Sequence, residues 1–346
     1  MAKMNFDKLL AAAQKEFGTS GARSGSEVAQ VETIPTGIPS LDVALGVGGW
    51  PIGGIAMIFG PESVGKSVLT YLAIAETQRM GKTAALNDLE GSFQPEWARL
   101  LGVDPDSLLL LNPVSAEETS AYSVWCANQP DIDLNVIDSI GAMASEKELD
   151  EDGKKQAYGQ SGIITQMVKQ LQPRLYKNKQ ACLLVNQIRD TANQRNLPIV
   201  HPPGGHALRH ACAIIIQMRP GTTSYKYKFA QEGEQEIGLR PIATVTKNKL
   251  APPKRNAEWD FYHTDSPEHP VGIDFIDSLI HAAVRVGVIE RPSSAYYVFD
   301  GEKHNGKATL IEWIKSDPER IEKVRNAFYE SFGKVNDAQI QPEEDE

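Results

Sequence analysis

Three features of the 346-residue sequence predict an α/β fold built on a mostly parallel central sheet. Seven apolar segments that read as strands alternate with helical segments. Several of those strands are nearly continuous apolar runs. One strand-to-helix junction carries Gly60-Pro61-Glu62-Ser63-Val64-Gly65-Lys66-Ser67. Apolar runs of this kind need cover on both sheet faces, and right-handed crossover helices supply it.

In chain order, residues 4–17 place Phe6, Leu9, Leu10, Ala13 and Phe17 on one face of a helix. Residues 18–26, rich in Gly and Ser, read as a flexible linker. So short an amphipathic helix must pack on its own domain or on a neighbouring subunit. Strands follow at 55–59, 83–88, 108–111, 134–138, 181–187, 213–218 and 242–247, with helices at 66–79, 95–101, 115–128 and 160–178. Ser115-Ala-Glu-Glu118 fits a capping box at the start of the third helix.

Composition shifts after residues 249–255. Residues 272–330 read as a small α/β unit: a helix over 272–286, a short strand pair within 295–309, and helices from Leu310 to Phe332. The acidic, polar end has the composition of a disordered tail. The expected organisation is therefore a helix and linker at 1–32, a core at 33–264, a C-terminal domain at 265–334 and an acidic tail at 335–346.

No apolar run approaches the ~20 residues of a membrane span, and the N-terminal segment lacks the apolar core of a signal peptide. Three cysteines at irregular spacing suggest no disulfide framework. A cytoplasmic protein without a membrane partner is expected. The net charge of −10 argues against a polyanion as partner, but its distribution does not. Between Gly153 and Arg219 stand ten basic residues and one acid, Asp190, so a segment of +9 lies in a chain that is otherwise −19. A nucleic acid could bind that surface; an uneven solvated surface reads equally well.

Gly60 to Ser67 matches G-x-x-x-x-G-K-S without a gap. The glycines let consecutive backbone N–H groups turn toward phosphate oxygens, Lys66 reaches the β- and γ-phosphates, and Ser67 can ligate Mg²⁺. The helix start at the same point adds its N-terminal dipole. Such a loop needs an acid near the metal at a neighbouring strand end, and Asp138, with Ser139 beside it, stands there. A second acid must orient the attacking water. Asp88 and Glu90 are both placed for it, with Glu90 favoured because it lies just outside its strand. Gln187, at the end of the strand 181–187, could hydrogen-bond the γ-phosphate and pass its loss to the loop that follows. His206 and His210 are four apart, but no CxxC partner accompanies them, and they carry no metal expectation.

The segments VETIPTGIPSLDVALGVGGWPIGG, GPESVGKS, NDLEGSFQPEWARLLGVD, VIDSIGA, VNQIR, PPGGHALR and VTKNKLAPP occur in this order. In them the chain resembles the bacterial RecA recombinases, over about residues 28–330. The resemblance implies a RecA-like P-loop ATPase core with a small C-terminal domain and an N-terminal polymerisation helix. It implies ATP and Mg²⁺ as cofactors. Lys66 and Ser67 would bind phosphate and metal, Asp138 would support the metal, and Glu90 would activate water. Gln187 would sense the γ-phosphate, Trp97 would stack on adenine, and Gln94 would lie near the base edge. Lys247 and Lys249 would reach the ATP of an adjacent subunit.

By the same resemblance, 148–159 and 189–206 are DNA-binding loops. The candidate contacts are Lys154, Lys155, Tyr158, Gly159, Lys169, Arg189, Arg195, Gly204, Gly205 and Arg209. The second loop lacks the family's threonine run, Tyr158 replaces an aliphatic residue, and His210 replaces an aromatic one, which suits a divergent or phage-encoded member. The implied partners are single- and double-stranded DNA and further copies of the chain in a helical filament. Two other readings share the core: a ring-forming, helicase-like motor ATPase, and a nucleotide-switched filament scaffold that recruits partners.

Overall fold

The structure, a computed structural model, describes residues 6–18, 22, 24, 25, 31–145, 158–187, 191, 192, 198, 199, 204–229 and 233–332. The chain divides into two compact units, Met1–Glu32 and Thr33–Glu346. In the first, a helix runs from Phe6 to Phe17 and buries none of its residues, leaving Phe6, Leu9 and Phe17 exposed. Gln14 Nε2 donates to the Ala22 carbonyl and folds the chain back after the helix.

The second unit is organised by an eight-stranded sheet. Its strands are β1 (Ile55–Gly60), β2 (Ala84–Asp88), β3 (Leu108–Leu111), β4 (Leu134–Asp138), β5 (Ala181–Gln187), β6 (Ile214–Arg219), β7 (Ile242–Asn248) and β8 (Asn256–Glu258). They lie in the order β8-β7-β6-β1-β5-β4-β2-β3. From β6 to β3 every neighbouring pair is parallel. β7 and β8 extend the sheet antiparallel at one edge.

Side-chain alternation along the central strands feeds two cores. Ala56 and Ile58 of β1 join Leu134, Val136, Leu183 and Ile216 on one face, under Leu69, Ala73 and Ile74 of the helix Lys66–Arg79. Ile55, Met57 and Phe59 join Ile137, Cys182, Leu184 and Ile215 on the other. There Ile164, Met167, Val168, Leu171 and Leu175 of the helix Tyr158–Asn178 cover them. The chain thus leaves β1 toward one face and β4 toward the other. A crevice opens between them at the carboxyl ends of the strands, where open α/β sheets bind ligands.

The expected capping box forms with a shifted partner. Ser115 Oγ accepts from Glu118 N–H at 3.1 Å, but Glu118 Oε2 accepts from Val114 N–H rather than from that of Ser115. The helix expected from 272 begins at Phe275, capped by Asp274, because Gly272 and Ile273 pair as a strand with Phe261 and Tyr262. The hairpin Ser224–Phe229 and Gly233–Leu239 was not expected from the sequence. Its register sets Lys226 opposite Glu236 and Lys228 opposite Glu234, so unlike charges face each other across the ladder.

Residues 275–332 form three helices around a three-stranded sheet, with Leu279, Ile280, Phe299, Leu310, Val324 and Phe328 at its centre. Val43 of the short helix Pro39–Leu45 enters the same core. A buried polar group adds to this contact. Tyr329 Oη donates to Asp42 Oδ2 at 2.8 Å, Thr36 N–H donates to Asp42 Oδ1 at 3.0 Å, and Arg325 pairs with Glu76. Burial pushes the Asp42 carboxyl up to about 8. The Arg325 and Glu76 side chains are only 8% and 11% exposed. Glu76 also accepts from Arg79 Nε at 3.1 Å, so Arg325→Ala removes one of the cations on it and should lower unfolding stability by ~1–3 kcal/mol. Urea denaturation checks this, and a midpoint equal to wild type would show that the pair does not hold the two parts together.

Candidate nucleotide-binding site

The loop between β1 and the helix Lys66–Arg79 is shaped by what its glycines permit. A Cβ at Gly60 would lie 2.5 Å from the Met218 carbonyl oxygen of β6. Gly65 caps the helix at φ 88°, a conformation that costs little only for glycine. The chain therefore reverses tightly, and Gly65, Lys66 and Ser67 line the cleft with the helix's first unpaired N–H groups. Lys66 Nζ donates to the Pro61 carbonyl, which draws the amine back over the loop.

Acids gather opposite. Asp88 and Asp138 are cross-strand partners at the ends of β2 and β4. Asp88 is held by the Phe93 N–H at 2.9 Å. Burial pushes the Asp138 carboxyl up to about 6. Glu90 and Asp88 add to the rise, and a hydrogen bond from Ser67 and the charge of Lys66 oppose it. Burial likewise lowers the Lys66 amine, against the pull of Asp138, Glu90 and Glu62. Glu90 Oε1 accepts from Ser139 Oγ at 2.7 Å and from Gln187 Nε2 at 2.9 Å.

Ser67 and Asp138 offer a hydroxyl and a carboxylate, oxygen donors that suit a hard divalent cation. Among the described residues no group of three or more His, Cys, Asp or Glu is set to hold a metal unaided. A cation here would therefore share its coordination with phosphate and water. The excess of acids around Lys66 and Ser67 fits that arrangement.

The cleft measures about 570 Å³ and runs from residues 62–68 past Glu90, Asp138 and Gln187 to an apolar wall. Trp97 forms part of that wall and meets Phe261 edge to face, with ring centroids 6.2 Å apart. Gln94 does not line the cleft; it is exposed at the start of the helix Pro95–Leu100. Trp259, Phe261 and His263 complete the wall, and sequence reasoning did not single them out. They stand about 160 residues beyond Trp97, in an antiparallel stretch whose pattern does not tell which face meets the cleft.

Lys247 and Lys249 lie elsewhere. Lys247 pairs with Ile215 of β6, and Lys249 N–H donates to the Ala213 carbonyl, beside the start of β1. That end is about 16 Å along β1 from the loop at Gly60, at roughly 3.3 Å per residue. Lys247 Nζ donates to the Arg209 carbonyl and Lys249 Nζ to the His210 carbonyl, 2.7 Å away for the latter. Both ammonium groups thus sit on the carbonyl end of the helix Gly205–Ala211, where the helix dipole is negative. Burial, and then the charge of Lys249, lower the Lys247 amine.

The two segments singled out as loops leave the sheet at the carboxyl ends of neighbouring strands, β4 and β5. Lys154, Lys155, Arg189 and Arg195 lie outside the described residues, and Tyr158 and Gly159 are described by their backbone, which opens the helix Tyr158–Asn178. In the second segment Thr191 and Ala192 pair antiparallel with Ile199 and Pro198. Gly204, at φ 109°, caps the helix that carries Arg209. Lys169 is exposed on the helix face, eleven residues and about 16 Å of helix axis past Tyr158.

The family profile described as RecA N-terminal domain matches residues 4–266. Protein RecA of Thermus aquaticus is 32% identical over 336 residues, 96% of this chain and 96% of the relative. Protein RecA of Lactobacillus johnsonii is 33% identical over 334 residues, 96% and 89% of the two chains. Protein RecA of Chlorobaculum tepidum is 35% identical over 320 residues, 91% and 88%. The chain is similar to each of these over about nine-tenths or more of its length.

Proposed function

The chain belongs to the RecA family, and from that premise we propose that it is an ATP-dependent strand-exchange protein, active as a helical filament on single-stranded DNA. It is a DNA-dependent ATPase whose chemistry is divided between neighbouring subunits. One observation carries this reading: the phosphate loop and the Lys247–Lys249 pair lie at opposite ends of the same sheet. No side-chain movement spans that distance within one chain. A head-to-tail neighbour can present its lysines to the first subunit's cleft, and a head-to-tail contact repeats into a filament.

Within the cleft, the amides of Gly65 to Ser67 and the Lys66 ammonium bind the ATP phosphates. Trp97 and the aromatic wall hold the base. Ser67 and Asp138 would hold Mg²⁺, which would supply positive charge against the phosphates. Glu90 orients the attacking water. Gln187 turns from Glu90 to the γ-phosphate, and its position at the head of the segment 189–206 lets that turn reach the DNA contacts. The lysines of the neighbour leave the carbonyls of Arg209 and His210 to reach the phosphate. Since that helix continues from the same DNA-contacting segment, gripping DNA and completing the ATP site become linked events.

The apolar faces support assembly. Leu110 on the outer strand β3, Val114 and Trp125 are exposed on the second unit, and Phe6, Leu9 and Phe17 on the first. Polymerisation would cover such surfaces. Among the described residues no helix is long and apolar enough to cross a membrane.

Electron microscopy of the protein with a slowly hydrolysed ATP analogue and single-stranded DNA tests the reading. Helical filaments are expected. Closed rings would replace it with a ring motor, and filaments without ATP turnover or strand exchange would favour a scaffold.

A further inference from the structure

Ser139 stands one residue past β4 and is 1% exposed. It caps the short 3-10 helix Ile140–Ala142, a position where serine usually spends its oxygen on the backbone N–H two or three residues ahead. Here no such capping bond forms. The hydroxyl instead donates to Glu90 Oε1 at 2.7 Å, across from the neighbouring strand β2. Gln187 donates to the same oxygen at 2.9 Å. The two donors differ in what they can do. Ser139 has one rotatable bond and a backbone anchored against the sheet; Gln187 is long, half-buried and set on the rim of the cleft.

We infer that Ser139 is a positioning residue for hydrolysis: its hydroxyl fixes the Glu90 carboxylate by Oε1 so that Oε2 is presented to the attacking water. The inference rests on the reading of Glu90 as the water-orienting base. When Gln187 turns to the γ-phosphate, Oε1 loses one of its two donors, and Ser139 alone keeps the carboxylate from rotating. Glu90 is itself exposed on a loop beyond β2, where nothing in its own backbone holds that rotamer. Asp138 and Ser139 thus divide adjacent tasks, one toward the metal side of the cleft and the other toward the water.

Steady-state and single-turnover ATP hydrolysis on single-stranded DNA test this in the full-length protein. Ser139→Ala removes one oxygen and should lower kcat by roughly 10- to 100-fold, the usual cost of a misaligned catalytic group. KM and the affinity for a fluorescent ATP analogue should stay within about twofold. Ser139→Thr, which keeps the hydroxyl, should recover most of the rate. In a Glu90→Gln background, Ser139→Ala should cost nothing further, because groups acting as one unit are not additive.

An unchanged kcat in Ser139→Ala, or an equal further loss in the Glu90→Gln background, would overturn the inference. The second comparison decides the matter even if the threonine variant fails to fold. Full turnover in Glu90→Gln would instead overturn the reading of Glu90. The two failures are therefore distinguishable.

Discussion

Lys66→Ala should abolish ATP turnover, by roughly 100-fold or more, the cost of removing a charged group that meets charge in the transition state. The change removes the ammonium group on which Asp138, Glu90 and Glu62 act. It leaves the backbone of the loop intact, because the turn is set by Gly60 and Gly65 and not by the lysine. Circular dichroism and thermal unfolding should therefore stay near wild type while hydrolysis disappears. Asp138 gives a second readout. It loses the positive charge that partly offsets its burial, so its carboxyl should rise further above the ordinary range. Measurable turnover in a folded Lys66→Ala protein would place the phosphates somewhere other than this loop.

Lys249→Ala should cripple turnover without emptying the nucleotide pocket, and the loss should be recoverable from a second subunit. Lys249 stands with Lys247 on the carbonyl end of the helix Gly205–Ala211, at the far end of the sheet from its own Lys66. An ATP analogue should thus bind the variant as it binds wild type. The decisive measurement mixes Lys66→Ala and Lys249→Ala proteins on single-stranded DNA. Each is inactive alone. In a randomly mixed head-to-tail assembly, about one interface in four joins an intact phosphate loop to an intact lysine pair. Turnover should return to about a quarter of wild type, since each interface works independently. No recovery on mixing would confine the active site to one chain and overturn the shared-site reading. If Lys249→Ala left DNA-stimulated turnover unchanged, the lysine would have no part in the chemistry.

Much of this was legible in the amino-acid order because the relevant forces are local. The seven expected strands all form, since a continuous apolar run between polar breaks has few ways to bury itself except between two helical layers. The phosphate loop was readable because eight consecutive residues suffice to make it. Ser115 and Glu118 announced a helix start within four residues, although the glutamate chose the neighbouring amide. The hairpin at 224–239 carried a strict alternation of aromatic and basic residues, Tyr225 to Phe229, whose period of two was a usable strand signal.

Other features depend on register and on strand order, and no local pattern encodes them. Ser139, Glu90 and Gln187 come from the ends of three different strands and meet only because β2, β4 and β5 lie in that spatial sequence. The aromatic wall unites Trp97 with Trp259, Phe261 and His263 because chain from beyond β7 folds back over the helix Pro95–Leu100. The separation of Lys247 and Lys249 from the phosphate loop follows from one fact of direction, that β7 runs antiparallel to β6. Residue order alone therefore determined the layers, the phosphate grip and the list of reactive groups, for which short-range sterics and burial are enough. Tertiary structure decided which groups touch and which face away. Those outcomes are set by hydrogen-bond register between segments far apart in the chain, where a single reversal of strand direction moves a side chain to the opposite end of the sheet.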